Sequence, residues 1–277
     1  MYTHCFKRGS KYAIMIQIVL VVAISVTCIL PSTAEAMGGR REATMPKADH
    51  ELCPTAKELA PLIALGSVYL GEVHGTNQGP MLTSCLVDAT LAAGIKPLVV
   101  SLELPAAARD LKSSIWTGTD GRTSKAMARL VEHLEDLESS HRIVLDFQLS
   151  ESVSGGAAGD RVVGLHLRNL ASKSRVIALG GNFHSQRKNV LMPSLGYKTA
   201  GDYVGSSMKT VFLDSTGKGH AWFCSNTCDD HVASNMTDDG EIGRLVDGAA
   251  AGHDYIYKVG PFTSSSPSLE RPIGLKK

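Results

Sequence analysis

Apolar residues recur along this chain in two alternating patterns, one typical of amphipathic helices and one typical of short buried strands. Helical spacing covers residues 54–65, 80–93, 124–137 and 161–172. Runs rich in Val, Ile and Leu predict strands over residues 67–70, 97–104, 142–147 and 175–179. Strands and helices that alternate in this way are typical of parallel strands joined by right-handed crossovers.

Beyond Gly201 the pattern changes to short β-type runs separated by loops rich in Gly, Ser and Asp. These runs cover residues 209–213, 221–224 and 255–259, and they predict either an extension of the sheet or an antiparallel edge. The predicted fold class is therefore α/β, with a mainly parallel sheet, helices on both faces and a mixed or antiparallel C-terminal edge.

The amino terminus has the order of a cleavable secretory signal. Basic residues precede an apolar run over residues 12–30, and the small-residue triplet 34–36 follows. The run is about long enough to span a bilayer, so an uncleaved anchor is the alternative. The triplet and the helix-breaking Pro31 favour cleavage. We therefore predict a signal peptide over residues 1–36 and a periplasmic or secreted protein.

The rest of the chain divides by composition. Residues 37–50 are polar and lack periodicity, which predicts a linker. Residues 51–262 are enough for a single α/β domain with a sizeable core. Residues 263–277 are rich in Ser and Pro with no core-forming pattern, which predicts a disordered tail.

The charge balance excludes some partners. The whole chain has a formal charge of +1, and removal of residues 1–36 takes away three basic residues and Glu35, which leaves −1. A chain with no basic face has no electrostatic footprint for nucleic acid or for a membrane surface. We expect no nucleic-acid partner, and membrane contact only through the signal segment if it is uncleaved.

Four of the six cysteines follow the predicted signal: Cys53, Cys85, Cys224 and Cys228. An even number in an exported protein predicts two disulfides. A local bridge between Cys224 and Cys228 is the simplest pairing and leaves Cys53 with Cys85, although four cysteines allow three pairings. With His220 and His231, the distal cysteines also form a possible zinc set, but export favours the disulfide.

Polar residues follow three of the predicted strands at the point where each strand ends. Glu72 and His74 follow the first strand, Glu103 ends the second, and Asn182 and His184 follow the fourth. The carboxyl ends of parallel strands share one edge, where ligands bind in α/β proteins. These residues therefore predict one active or binding site.

Two kinds of chemistry fit these residues. A carboxylate beside His74 or His184 makes the histidine a general base that can activate water. Glu72 or Glu103, partly desolvated at a strand end, can exchange protons near neutral pH. Alternatively, His74, His184 and Glu103 supply two imidazoles and a carboxylate to a divalent metal with an open water position.

Structural roles compete with these interpretations. Glu103 also fits a helix N-terminal anion, because Pro105 can open a helix, and Asn182 fits a turn or cap. His133, His141 and His166 lie on or beside predicted helices, which favours solvated or packed roles. The sequence contains no nucleotide-binding glycine loop and no Gly-x-Ser-x-Gly nucleophile elbow.

Three short motifs resemble one superfamily. Residues 70–77 (LGEVHGTN), 103–105 (ELP) and 181–184 (GNFH) resemble the superfamily that unites erythromycin esterases, ChaN-like haem-binding lipoproteins and Tiki/TraB proteins. Residues 120–127 (DGRTSKAM) and 219–224 (GHAWFC) look like features of uncharacterised bacterial exported members. The likeness spans about residues 65–230.

The resemblance implies different roles in different branches. Erythromycin esterases are hydrolases in which a His and a Glu at the first motif and the following strand activate water, which maps onto His74 and Glu103. Tiki-like proteins are metal-dependent proteases with paired Gly-x-x-His motifs, which maps onto His74 and His184. ChaN-like proteins bind haem and need not be enzymes.

We therefore predict an exported hydrolase that cleaves an ester, lactone or peptide bond in a small-molecule or peptide substrate. His74 is the expected general base or metal ligand with Glu103 as its carboxylate partner, and Glu72 and His184 complete the site. The expected substrate-binding residues are Arg122, Ser124 and Asn182. The alternative is a non-catalytic periplasmic protein that binds haem or a metal in the same cleft.

Overall fold

The computed structural model of the protein describes residues 53–149, 156–225, 227–236 and 240–269. The predicted signal peptide, the predicted linker and residues 270–277 of the predicted tail lie outside the described residues. Within the described ranges, the helices are α1 (Ala56–Ala64), α2 (Gln78–Ala92), α3 (Lys125–Ser139), α4 (Ala157–Ala171) and the short α5 (Ala200–Tyr203). The four long helices confirm the four segments of helical spacing.

Nine strands are described: β1 (Val68–Glu72), β2 (Leu98–Pro105), β3 (Val144–Leu149), β4 (Arg175–Gly181), β5 (Lys209–Ser215), β6 (Gly219–Cys224), β7 (Cys228–Ala233), β8 (Leu245–Asp247) and β9 (Tyr255–Val259). Seven of them form one sheet in the order β3-β2-β4-β1-β5-β9-β8. Its neighbouring strands are parallel except for β8 and β9, which pair antiparallel at one edge. The predicted fold class is confirmed.

Strands β6 and β7 form a separate antiparallel hairpin. The run at residues 221–224 predicts an extension of the sheet or its edge, and the structure differs on this point. The partner strand β7 has no buried residue, which explains why its sequence carries no apolar alternation.

Both faces of the main sheet are covered. Alternate residues of a strand point to opposite faces, so Leu70 packs with α1, α2 and α3 while Tyr69 packs with α4. All five residues of β1 are buried. Burial on both faces accounts for the continuous apolar runs in the sequence.

The strand order brings three strand ends together. β4 lies between β2 and β1, with Leu179 opposite Leu102 on one side and Gly180 opposite Gly71 on the other. Because these strands are parallel, the residues that follow their carboxyl ends emerge at one edge of the sheet.

The segment 261–269, which we call the C-terminal strap, crosses this edge. Ser264 pairs with Thr76, and Pro267 pairs with Ser124. The amide of Ser265 also donates to the carbonyl of Gly75 at 2.8 Å. Residues 263–269 are therefore ordered where a disordered tail was expected. Loop-to-loop backbone hydrogen bonds hold them, and such bonds leave no apolar pattern in the sequence.

The predicted disulfide pairing is confirmed. Cys53 is bonded to Cys85, which ties the chain before α1 to α2. Cys224 is bonded to Cys228, which closes the β6–β7 hairpin and removes both thiols from the zinc alternative. Two disulfides fit a protein exported from the cytosol. Over the described ranges, no helix is both long enough and apolar enough to cross a membrane.

Candidate active site

Glu72 and His74 form a hydrogen-bonded pair at the end of β1. Nδ1 of His74 lies 2.9 Å from Oε1 of Glu72, whose residue is only 2% exposed. The first turn of α2 closes over this carboxylate, since a Cβ on Gly79 would lie 2.0 Å from Oε2 of Glu72. Oε2 itself has no hydrogen-bond partner among the described residues.

The hydrogen bond sets the tautomer of His74. An ionised Glu72 can only accept, so Nδ1 carries the proton and Nε2 keeps its lone pair. Among the described residues, Nε2 has no hydrogen-bond partner. It lies 2.8 Å from where a Cβ on Gly181 would stand, so the glycine leaves room for this ring. The side chain of His74 is 22% exposed and therefore reachable by a ligand.

A second pair of the same kind lies at the end of β4. Nδ1 of His184 is 2.7 Å from Oδ1 of Asp160, and the side chain of Asp160 is 2% exposed. The amide of Ala200 also donates to Oδ1 of Asp160 at 3.2 Å, which fixes the carboxylate. The side chain of His184 is 33% exposed. Two histidines are thus oriented by buried carboxylates. Among the described residues, neither ring has a hydrogen-bond partner at Nε2.

Glu103 is close enough for its charge to act on both histidines, but it bonds to neither. Its Oε2 accepts the amide of Gly181 at 2.6 Å, and its Oε1 accepts Nη1 of Arg122 at 3.2 Å. The expectation that Glu103 is the carboxylate partner of His74 is not met, because Glu72 occupies that position. The strand order explains the difference: β4 separates β2 from β1, so Glu103 meets Gly181 first.

Arg122 is held in place from two sides. Asp120 accepts from Nε at 2.8 Å and from Nη2 at 2.5 Å, while Glu103 accepts from Nη1. Gly121, next to Arg122 in the loop, has a φ of 84°, which suits glycine. The carbonyl of Gly121 accepts a hydrogen bond from the amide of Gly75 at 3.1 Å. The Arg122 side chain remains 34% exposed. It therefore lies beside Glu103 with guanidinium surface still open to a substrate.

The other two predicted substrate-binding residues, Ser124 and Asn182, form hydrogen bonds that support the backbone. Ser124 is the N-cap of α3, where its Oγ accepts from the amide of Met127 at 3.3 Å. Its residue is 2% exposed, so its hydroxyl is used by the helix and does not line the mouth of the site. Asn182 donates its backbone amide to the carbonyl of Glu72 at 2.9 Å and so ties the two strand ends together.

Both site histidines have a pKa above the ordinary value of 6.5. Burial lowers the pKa of His74, but the hydrogen bond with Glu72 and the charge of Glu103 raise it by more. Burial also lowers the pKa of His184, and Asp160 and Glu103 raise it by more. Burial raises the pKa of Glu72 despite its bond to His74. These shifts are typical of groups that exchange protons.

Tyr69 lies beneath the site and was not predicted from the sequence. Its residue is fully buried, and its Oη has no hydrogen-bond partner within the described part of the chain. A Cβ on Gly180 would stand 2.8 Å from this Oη and 2.7 Å from Oε2 of Glu103, so the two oxygens are near neighbours. Burial, then the charges of Glu103 and Asp160, hold the pKa of Tyr69 well above its usual range. Tyr69 is therefore a neutral O–H donor.

The three predicted metal ligands are not grouped as one site in the structure. Over the described ranges, no three His, Cys, Asp or Glu side chains are placed to hold an ion. Glu103 is engaged by Gly181 and by the Arg122 guanidinium, whose charge repels a cation. Metal binding and haem binding both stay predictions.

Asp160 and Tyr69 are the functional candidates that sequence patterns missed. Asp160 lies in the first turn of α4, where an acidic residue is common for reasons of helix polarity alone. Tyr69 belongs to an apolar strand and looks like an ordinary core residue. Only the strand order and the packing of α4 bring them to the site.

The fold is shared with known structures. No protein-family model and no curated protein matches the sequence. A protein of Bacillus cereus aligns with a TM-score of 0.51 over 77% of this chain and 94% of that chain, at 10% identity. A succinoglycan biosynthesis protein aligns with a TM-score of 0.50 over 76% and 91%, at 10% identity. An erythromycin esterase variant in its open conformation aligns at 0.47 over 79% and 95%, at 9% identity. The first two similarities show a common fold.

Proposed function

We propose that this protein is an exported hydrolase that cleaves a carboxylic ester or lactone without a metal. One observation carries the proposal: two histidines, each held at Nδ1 by a buried carboxylate at 2.9 or 2.7 Å, have no partner at Nε2 within the described residues, and the charge of Arg122 acts on both. The motifs that resemble erythromycin esterases contain both histidines and are in keeping with it. The two disulfides support an oxidising location, periplasmic or secreted.

The arrangement supplies each part of a direct hydrolysis. Nε2 of His74 takes a proton from water as the water oxygen attacks the carbonyl carbon, and Glu72 supports the imidazolium that forms. Arg122 stabilises the oxyanion of the tetrahedral intermediate. Nε2 of His184, protonated, gives its proton to the leaving alcohol oxygen as the C–O bond breaks. The products are a carboxylic acid and an alcohol.

The raised pKa values suit these two roles. A general acid and a general base work best when both protonation states are populated near the working pH. Both histidines titrate above 6.5, so one can be neutral while the other is charged. Burial keeps Tyr69 neutral behind Glu103.

The test is a substrate screen of the exported protein with aryl esters, alkyl esters and lactones, with and without a chelator. We expect turnover of at least one substrate in both conditions. His74→Ala should lower kcat/KM by about 10²- to 10⁴-fold, the usual contribution of general base catalysis. The matched control is His141→Asn, because His141 is exposed and its φ of 56° suits asparagine.

Two results would contradict the proposal. Equal activity of the His74→Ala variant on every substrate found would remove His74 from the chemistry. Activity that disappears with chelator and returns with a metal would show a metal-dependent hydrolase instead.

A further inference from the structure

The loop that follows the site residues of β4 exposes a cluster of large apolar side chains. We call residues 188–198 the apolar loop. Val190, Leu191, Met192 and Leu195 are 41%, 38%, 50% and 48% exposed, respectively. These four account for nearly half of the ten large apolar residues that are exposed among the described residues. Clustered exposed apolar groups mark interaction sites far more often than scattered ones do.

The backbone of this loop is fixed at its base. Oε1 of the buried Gln186 accepts the amides of Val190 at 3.0 Å and Leu191 at 3.4 Å. The guanidinium of Arg187 binds Asp254 through Nε at 2.9 Å and Nη2 at 2.7 Å. A 3₁₀ turn over Pro193–Leu195 then shapes the tip. The apolar side chains therefore project from a supported loop.

Two lysines flank the tip. From Arg187 to Gly201 the chain contains no acidic residue, and Lys188 and Lys198 lie on either side of the apolar residues, although Arg187 pairs with Asp254. Lys188 is exposed, and the Lys198 side chain is 64% exposed although its Nζ lies 3.1 Å from Asp202. The charge of −1 for the chain after residue 36, which predicts no membrane attraction, does not reveal that two exposed lysines flank the tip.

We propose that the apolar loop inserts into the interface of an anionic phospholipid bilayer. Residues 190–196 are all exposed, seven in a row, so solvent reaches every residue of the tip. A fluid phase can surround such a tip, whereas a protein groove covers one side of a segment. Flanking lysines extend to lipid headgroups while apolar neighbours enter the acyl region.

The contacts behind the loop place the site beside the membrane surface. The Tyr197 ring lies edge-on to Phe183 with centroids 6.2 Å apart, and Phe183 lies edge-on to His184 at 5.0 Å. Tyrosine is a common residue at membrane interfaces. The inference itself concerns the loop and does not depend on the hydrolase proposal.

A tryptophan reporter tests where the protein enters the bilayer. Met192→Trp should show a blue-shifted emission with vesicles of phosphatidylglycerol and phosphatidylethanolamine, and acyl-brominated lipid should quench it. Val232→Trp is the matched control, because Val232 is 66% exposed on the separate hairpin. Both variants have the same amino terminus, so a difference between them reports the loop. A shift of the Val232→Trp reporter alone would overturn the proposal.

Partitioning measures how much the loop contributes. In vesicle co-sedimentation, Leu191→Asp with Met192→Asp should weaken binding at least about tenfold, because aspartate is strongly unfavourable in hydrocarbon. Val232→Asp with Met236→Asp should change it less than about twofold, since these exposed side chains lie outside the loop. Binding should also weaken in high salt and with phosphatidylcholine vesicles.

Three results would overturn the proposal. One is wild-type binding that the aspartates in the loop leave unchanged. Another is no binding of wild type to anionic vesicles. The third is a dimer in sedimentation velocity that the same aspartates dissociate, which would assign the loop to contact with a second copy. Equal melting temperatures of wild type and both double variants control for folding, since all four positions are exposed.

Discussion

Two kinds of histidine–carboxylate pair occur in this molecule, and they differ in which ring nitrogen faces the carboxylate. At the carboxyl edge of the sheet, His74 and His184 face buried carboxylates with Nδ1. His220 on the β6–β7 hairpin also faces Asp230 with Nδ1, at 3.0 Å, but both of these side chains are exposed. Between helices and strands elsewhere, His133 faces Asp88 with Nε2 at 3.2 Å and His166 faces Asp146 with Nε2 at 3.0 Å.

The difference decides what each ring can do. Nδ1 is the nitrogen nearer the backbone, so a carboxylate there leaves the outer nitrogen free to meet a ligand. A carboxylate at Nε2 uses the outer nitrogen and ties two elements together, as His166 on α4 does with Asp146 on β3. A histidine–carboxylate pair therefore indicates chemistry only when the outer nitrogen remains open and the carboxylate behind the ring is buried.

The largest effect should come from removing the charge behind a site histidine. Glu72→Gln keeps the shape and the acceptor but loses the charge that supports the His74 imidazolium. We expect kcat to fall about 10²-fold or more, and the acid limb of the pH–rate profile to move to lower pH because the pKa of His74 falls.

Stability separates this effect from misfolding. Burial raises the pKa of Glu72 in the folded state, so the folded protein disfavours the ionised carboxylate. The stability that protonated Glu72 contributes at low pH is therefore lost as pH rises through the raised pKa. At neutral pH the Glu72→Gln variant should therefore melt at the same temperature as wild type or higher. A lower melting temperature with unchanged kcat would make the pair structural.

A smaller and substrate-dependent effect should follow loss of the second pair. His184→Asn removes the proposed general acid, which matters most when the leaving group is basic. We expect about a 10²-fold loss for alkyl esters and less than about a tenfold loss for p-nitrophenyl esters, measured as kcat/KM. Equal losses for the two ester classes would show that His184 does not protonate the leaving group.

Asp160→Asn should reproduce the dependence on leaving group in weaker form. Asp160 orients the ring of His184 and does not itself meet the substrate, so it is a positioning residue. The amide oxygen introduced by this substitution can still accept from Nδ1 but carries no charge. An Asp160→Asn variant with the alkyl ester activity of wild type would separate this carboxylate from the function of His184.

The smallest effect on activity should come from the pair of His166 and Asp146, in which Nε2 faces the carboxylate. The hydrogen bond to Asp146 raises the pKa of His166 against the effect of burial. A raised histidine pKa stabilises the folded protein below the ordinary value of 6.5, and that contribution is lost as pH rises through the raised value. His166→Gln should leave kcat unchanged and lower stability by less than about 1 kcal/mol near pH 5, since the pair is partly exposed.

Denaturant unfolding at two pH values measures this change in the free energy of unfolding. The difference between wild type and the His166→Gln variant should be present near about pH 5 and vanish near about pH 9, above the raised pKa. A loss of catalytic activity in this variant would place His166 in the mechanism and remove the distinction between the two kinds of pair.

The sequence predicts the fold well where burial is regular. The continuous apolar runs of β1, β2 and β4 and the helical spacing of α2 and α3 follow directly from covered faces. β7 and β8 were not predicted, because β7 is exposed and β8 is only three residues long. The C-terminal strap was not predicted either, since backbone hydrogen bonds to other loops hold it.

The site residues could be predicted from the sequence, but their bond partners could not. His74, Glu72 and His184 are predictable because each directly follows or ends an apolar strand. The bond partners are not: Glu103 binds Gly181 and Arg122 because β4 lies between β2 and β1, and Asp160 reaches His184 only through the packing of α4. Local sequence thus reports which residues stand at the edge, and the strand order decides which of them touch.

The most direct test of the central claim needs no substrate. Long-range ¹H–¹⁵N spectra of the imidazole rings report which nitrogen carries the proton in each neutral histidine. We predict that His74 and His184 have the proton on Nδ1 with Nε2 unprotonated, whereas His133 and His166 have it on Nε2. A proton on Nε2 of neutral His74 or His184 would contradict the account, because neither ring would then present a free base to the cleft.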